Sequence, residues 1–210
     1  MTYATHKAGG ALFALAGFEI LSKTGLLVSD IEPWMALILM YPASSFGSTF
    51  PDLDHSWDKV KEHTPTNAVI HKLLHITHPH HRSWQTHSLI LSAIEIALIY
   101  LVLWLWKTYQ WFNTSPITIS ILYLIITGFS LGIASHLFLD MFTRAGIWII
   151  PGMKAKIRLV PDDEKFSCGD KNGSYETIWR VILYILTALL CIWILNPFGL
   201  QQVFVNSATV

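Results

Sequence analysis

The sequence is short of charge. Only 13% of its 210 residues are Asp, Glu, Lys or Arg, where a water-soluble domain carries roughly 25%. The 14 basic and 14 acidic side chains cancel, so there is no cationic surplus of the kind that draws a nucleic acid, and none is expected as a partner. Cysteine is nearly absent: Cys168 stands in a polar stretch and Cys191 in an apolar run. Two such residues make neither a disulfide framework nor a paired-cysteine zinc motif. The N-terminus lacks the short apolar core and small-residue cleavage site of a secretory signal, so the first apolar run is expected to be retained. No internal repeat or low-complexity tract is evident.

Apolar side chains are abundant instead, at 52%, with nine tryptophans. Low charge with high apolar content points to a membrane protein, and the length to a single domain over residues 1–210. Five apolar runs stand out, at residues 8–28, 33–50, 88–106, 116–140 and 177–195. A spanning helix needs roughly 20 mostly apolar residues. The last three runs qualify clearly. The first two are marginal, because the first carries Glu19 and Lys23 and the second ends among small residues such as Ala43, Ser44, Ser45 and Gly47. The expected fold is all-α: a polytopic bundle of about five transmembrane helices, with loops 51–87 and 141–176 on one face.

The histidines are concentrated. His55, His63, His71, His75, His78, His80, His81 and His87 all fall between Pro51 and Ser88, with Asp52 and Asp54 beside the first of them. Neutral imidazole and carboxylate are ligands that Zn, Mn and Fe accept readily. Parity then ties distant residues together. With five spans, the stretch from Asp52 to His87 lies on the face that holds the N-terminus and His6. His136 and Asp140 arrive on that same face at the end of the fourth span. They are four residues apart, so on a helix they share one side and can grip one ion. Scattered histidines would have no reason to obey that parity. Most of the 14 Lys and Arg lie in the loops of this face, while the opposite loops hold Lys23 and Lys107. The positive-inside rule therefore places the N-terminus and the cluster in the cytoplasm.

Each candidate has a plainer reading. Asp52, Asp54 and His55 follow a proline, as in an ordinary Asp-rich turn. His87 sits where a span begins, but capping suits Thr86 or Ser88 better. His63, His71, His75, His78 and His80 read first as exposed residues of a polar helix and its ends, and their metal binding is left open. Glu19 can pair with Lys23 along one helix face. Glu95 lies inside a span, where a carboxylate is expensive, two turns beyond His87. Gly128 and Gly132 form a step that suits close helix packing.

The residues also carry a resemblance. His6 ahead of a Gly9-Gly10 pair, Pro51-Asp52-Leu53-Asp54-His55, His81-Arg82 with Thr86-His87-Ser88, and His136-Leu137-Phe138-Leu139-Asp140 with Thr143, Gly146 and Pro151 appear in that order. Together they resemble the bacterial membrane-bound metal-dependent hydrolases of the YdjM-like family, a likeness covering about residues 1–155. That family is in turn distantly similar to zinc phospholipase C and P1-type nucleases. The resemblance implies His6, Asp52, His81, His87, His136 and Asp140 as metal-site residues, and position joins His55 to them. Three residues separate Arg82 from Thr86 where the family more often has two, so His80 stands as an alternative to His81.

The expected chemistry is hydrolysis of a phosphoester in a lipid or other membrane-associated substrate, at the cytoplasmic interface of the bacterial inner membrane. Two or more ions, Zn before Mn or Fe, would activate water. Asp52 or Asp140 would bridge them, Asp54 would accept a proton, and Arg82 and Arg144 would bind phosphate. The segment from Gly146 to Val160, with Trp148 among basic residues, reads equally as an interface-lying segment or a plain connecting loop. The rival class is a metal-binding membrane protein or transporter. Transport sites usually lie near the bilayer midplane between repeated halves, and the candidates here lie at one face. Oligomeric state is not legible.

Overall fold

The computed structural model describes residues 1–55, 63–77, 84–110, 114–143, 145–150, 156–159 and 174–195. Among them are six α-helices: α1 (Tyr3–Lys23), α2 (Pro33–Gly47), α3 (Pro65–Thr77), α4 (Leu89–Tyr109), α5 (Pro116–Asp140) and α6 (Ser174–Leu195). A short 3-10 turn, Pro51–Asp54, follows α2, and two strands, β1 (Ile147–Trp148) and β2 (Lys156–Ile157), pair antiparallel after α5. The protein is a helical membrane protein. Its expected single run at 177–195 extends back to Ser174, and the run at 88–106 extends forward to Tyr109.

Three helices are long and apolar enough to cross a bilayer: Leu89–Tyr109, Pro116–Asp140 and Tyr175–Leu195. The expectation of about five spans is thereby narrowed. The 15 residues of α2 rise about 22 Å at 1.5 Å each, short of a hydrocarbon core of roughly 30 Å. Helix α1 has the length, but Lys7, Glu19 and Lys23 dilute it. As expected, Glu19 and Lys23 pair across one turn at 2.8 Å, and Trp193 of α6 donates to the same carboxylate at 3.0 Å.

Helix α5 is the axis. It packs against α1, α2 and α4, and α1 also packs against α6. Phe18, Met40 and Leu124 bury a core between α1, α2 and α5. The α2–α5 contact is made through backbone. A Cβ at Gly132 would meet the backbone of Ser44 and Ser48, and one at Gly47 that of Phe129. Only glycine lets two helices approach so closely, which is the packing role expected of the Gly128–Gly132 step. Ser44 Oγ adds a hydrogen bond across to the Gly10 carbonyl at 2.8 Å.

This packing has one consequence for chemistry. The first turn of α1, the 3-10 turn after α2, the residue before α4, the last turn of α5 and the first turn of α6 meet at one end of the bundle.

Candidate metal centre

Five side chains converge there, each delivered by a different local device. His6 lies in the first turn of α1, not ahead of the helix as a start at residue 8 would leave it, because α1 starts at Tyr3. Asp52 rides the 3-10 turn, which begins at Pro51 with its fixed φ. His87 stands beside Ser88, whose hydroxyl caps α4 by accepting from the Leu91 amide at 3.4 Å. His136 and Asp140 occupy successive turns of α5. Four of these are essentially buried, while the Asp52 side chain is 25% exposed and forms the open side.

The hydrogen bonds fix which nitrogen of each imidazole is protonated. His136 Nδ1 lies 2.7 Å from the Ser48 carbonyl. A carbonyl only accepts, so Nδ1 carries the proton and Nε2 a bare lone pair. Thr86 Oγ1 donates to Asp54 Oδ2 at 2.6 Å. Its one proton is thus committed, and it accepts from His87 Nδ1 at 2.8 Å. His87 Nε2 is then also a bare lone pair. The two Nε2 atoms face one another at 3.3 Å. Two neutral acceptors at that range repel unless a proton or a metal ion stands between them.

The carboxylates complete the arrangement. Asp140 Oδ2 is 3.6 Å from both His87 Nε2 and His136 Nε2, and Asp52 Oδ1 is 3.8 Å from both. Donors about 2.0–2.1 Å from one ion in tetrahedral geometry stand about 3.3–3.4 Å apart, so these spacings fit. The second oxygens turn the other way. His6 Nε2 lies 3.5 Å from Asp140 Oδ1 and 3.9 Å from Asp52 Oδ2. The His6 ring stacks on that of His136 at 3.8 Å, and neither His6 nitrogen has a hydrogen-bond partner among the described residues. An imidazole buried with both nitrogens unsatisfied is costly, unless a metal takes one of them. His6, His136 and Asp140 form one group able to hold a metal ion, and Asp52, His87 and His136 a second.

Electrostatics agree with ligand roles. Burial pushes the His87 imidazole down, and nearby carboxylates only partly lift it, which keeps the ring neutral as a metal ligand must be. Burial alone would raise Asp52, but His136, His87 and His6 in their protonated forms outweigh it and hold its carboxyl below the ordinary carboxylate range.

The other expected site residues fare differently. Asp54 is buried on the Nδ1 side of His87, its Oδ2 3.7 Å from that nitrogen and behind the ring relative to Nε2. This is an orienting position, not one facing the converging donors. His55 belongs to neither metal-holding group. His81, Arg82 and Arg144 lie outside the described residues, as do His78 and His80.

Some roles have no clear signal in the sequence. His71 Nδ1 meets the Leu53 carbonyl at 2.9 Å, and His75 Nε2 meets the His55 carbonyl at 3.3 Å. Helix α3 thus clamps the turn that carries Asp52 and Asp54. Strand β1 holds the other side: the Trp148 amide donates to the His87 carbonyl at 2.9 Å. Trp148 is therefore a structural anchor, with Lys156 Nζ over its ring at 4.4 Å. Gly146, at φ +60°, leads the chain into β1 at a point where a Cβ would meet the Ile157 carbonyl of β2. Glu176 is buried and accepts from Thr5 Oγ1 at 2.8 Å, fixing α6 to the turn that bears His6.

The model of the YdjM inner membrane protein family matches residues 1–201. The chain belongs to this family. As a YdjM-family member with three candidate spans it is an inner membrane protein. No curated protein and no solved structure matches it significantly.

Proposed function

We propose that this protein is a membrane-embedded metal-dependent hydrolase that cleaves a phosphoester of a lipid or other membrane-associated substrate at the cytoplasmic face of the inner membrane. One observation carries the reading: two buried imidazoles with their Nδ1 protons committed elsewhere point bare Nε2 atoms at each other across 3.3 Å. His87, His136, Asp52 Oδ1 and Asp140 Oδ2 would hold one ion. His6 with the remaining oxygens of the same two aspartates would hold a second. Shared carboxylates of this kind keep paired ions close. The donor set of imidazole and carboxylate suits Zn, and also Mn or Fe.

When bound, such ions supply Lewis acidity toward a phosphoryl oxygen and lower the pKa of water. The chain's own residues do the rest. Asp52 offers its oxygens from the open side, the side an incoming water would enter. Asp54 and Thr86 hold the His87 ring in its ligand tautomer. Arg82 and Arg144 have the chemistry to bind a phosphate bidentately. The Lys and Arg surplus in the sequence segments 51–87 and 141–176 supports a cytoplasmic site under the positive-inside rule, within reach of a lipid head group.

The first test is metal content by mass spectrometry on detergent-purified protein, with His87→Ala and Asp140→Ala alongside. Two equivalents of Zn, Mn or Fe in the wild type, falling in both variants, support the reading. Release of phosphate or of a phosphorylated head group from lipid substrates follows. Absence of bound metal after Zn is supplied sinks the mechanism.

A further inference from the structure

A groove of about 380 Å³ runs beside the metal-holding end. Its inner end is formed by Pro51 and Thr86. Pro51 precedes Asp52, and Thr86 touches both Asp54 and His87. From there it extends along α4 and α5 past Ile96, Phe129 and Ile133 to Leu98 and Ile99. Those last two side chains are 54% and 39% exposed. They belong to the continuous apolar face that α4, a helix fit to span the bilayer, leaves uncovered together with Ile94 and Val102. The groove is thus closed by the metal end on one side and open to hydrocarbon on the other. Its volume falls in the range of roughly 300–1,000 Å³ typical of ligand sites.

Glu95 stands in the wall of this groove. A carboxyl within a spanning helix is expensive and is retained where it has a partner or a task. It lies two turns along the chain from His87, about 12 Å at 1.5 Å per residue. A lipid has its polar glycerol and ester atoms between head group and tail.

We propose that the groove between α4 and α5 seats one acyl chain of a bilayer phospholipid whose head group reaches the metal-holding end, with Glu95 hydrogen-bonding the ester and glycerol region. The inference rests on the hydrolase reading and names its substrate class: a lipid that reaches the site laterally, without leaving the bilayer. The groove side chains then select for a chain, and the metal end acts on the head.

The test uses the full chain in nanodiscs containing phosphatidylglycerol with a photoreactive diazirine in mid-chain. Cross-links are mapped by mass spectrometry, and bound metal is measured on the same preparation. The expected result is labelling concentrated on Ile96, Leu98, Ile99 and Phe129. Ile133→Trp, which fills the groove, and Leu98→Trp, which plugs its mouth from an exposed position, should each lower that labelling about tenfold, as overfilling a packed space does, with metal content unchanged. Glu95→Gln, which keeps a hydrogen-bonding group, should label as the wild type, and Glu95→Leu should label less. Even labelling over the exposed faces of α4, α5 and α6 overturns the proposal, as does labelling unchanged by Leu98→Trp. Groove labelling in a protein that binds no metal removes the hydrolase reading and leaves the lipid seat standing. Metal and hydrolysis without groove labelling do the reverse.

Discussion

His87 and His71 come from one histidine-rich stretch, 16 residues apart, and do opposite things. His87 is buried, gives its Nδ1 proton to Thr86, and turns Nε2 toward His136. His71 sits on α3, half-exposed, with Nδ1 on a backbone carbonyl of the turn it supports. One is placed to hold a cation and the other to hold a loop. Density of histidine does not separate them. What separates them is where the second nitrogen points and whether carboxylate oxygens meet it there.

The sharpest way to break that comparison is at His136, which both metal-holding groups share. His136→Ala should remove the ion held with His87, affinity at that position falling by more than about 100-fold, beyond the range seen when only a supporting partner is lost. Equilibrium dialysis against Zn with metal analysis measures it. Retention of the wild-type stoichiometry would show that the two Nε2 atoms are an ordinary buried pair.

The next effect is smaller and tests orientation. Thr86→Val removes the hydroxyl that links Asp54 to His87 while keeping the shape. Loss of such a supporting partner typically costs 10–100-fold in metal affinity, and that range is expected here. Asp54→Asn should fall in the same range, because the amide no longer compels Thr86 to accept from His87. If both variants bind metal as the wild type does, the Asp54–Thr86–His87 chain serves packing only.

Acidification sharpens the same point. Metal binding requires neutral imidazole and ionised carboxylate. His87 has its pKa lowered by burial and Asp52 has its own lowered by the imidazoles around it. The sign follows for these two groups: protons compete for His87 and for Asp52 only below their ordinary ranges, so metal loss through either of them is expected only as pH falls below about 6.5, the usual imidazole value. Stepwise dialysis from pH 8 downward with metal analysis reads the midpoint. A midpoint that His87→Ala leaves unmoved contradicts a ligand role for His87.

Much of this arrangement is legible in the amino-acid sequence. Parity along the apolar runs brings His6, Asp52, His87, His136 and Asp140 to one end, and the i, i+4 spacing of His136 and Asp140 puts them on one side of α5. Periodicity and span length are coarse signals that survive errors of a few residues, which is why they hold even though α2 is too short to span. Fine geometry is not legible. Asp52 and Asp54 are two residues apart with the same chemistry, yet the 3-10 turn sends one toward the imidazoles' Nε2 atoms and the other behind His87. Nor can spacing show that α3 and β1 clamp the two segments bearing Asp52 and His87, because those contacts run through backbone carbonyls and amides that every residue possesses.

The smallest expected effect completes the contrast. His71→Ala removes one hydrogen bond to the Leu53 carbonyl. A single such bond contributes about 1 kcal/mol. Stability should fall by about that amount, read as a modest drop in the thermal midpoint of the metal-free protein. Metal stoichiometry should not change, because no donor atom is removed. Affinity should weaken by less than about tenfold, since a looser turn raises the cost of bringing Asp52 to its place without abolishing it. A double substitution with His75→Ala should add to the effect, because the two rings hold the same turn through neighbouring carbonyls. Loss of a full metal equivalent in His71→Ala alone would mean that α3 supplies a ligand in solution, and the division between the two histidine regions would fail.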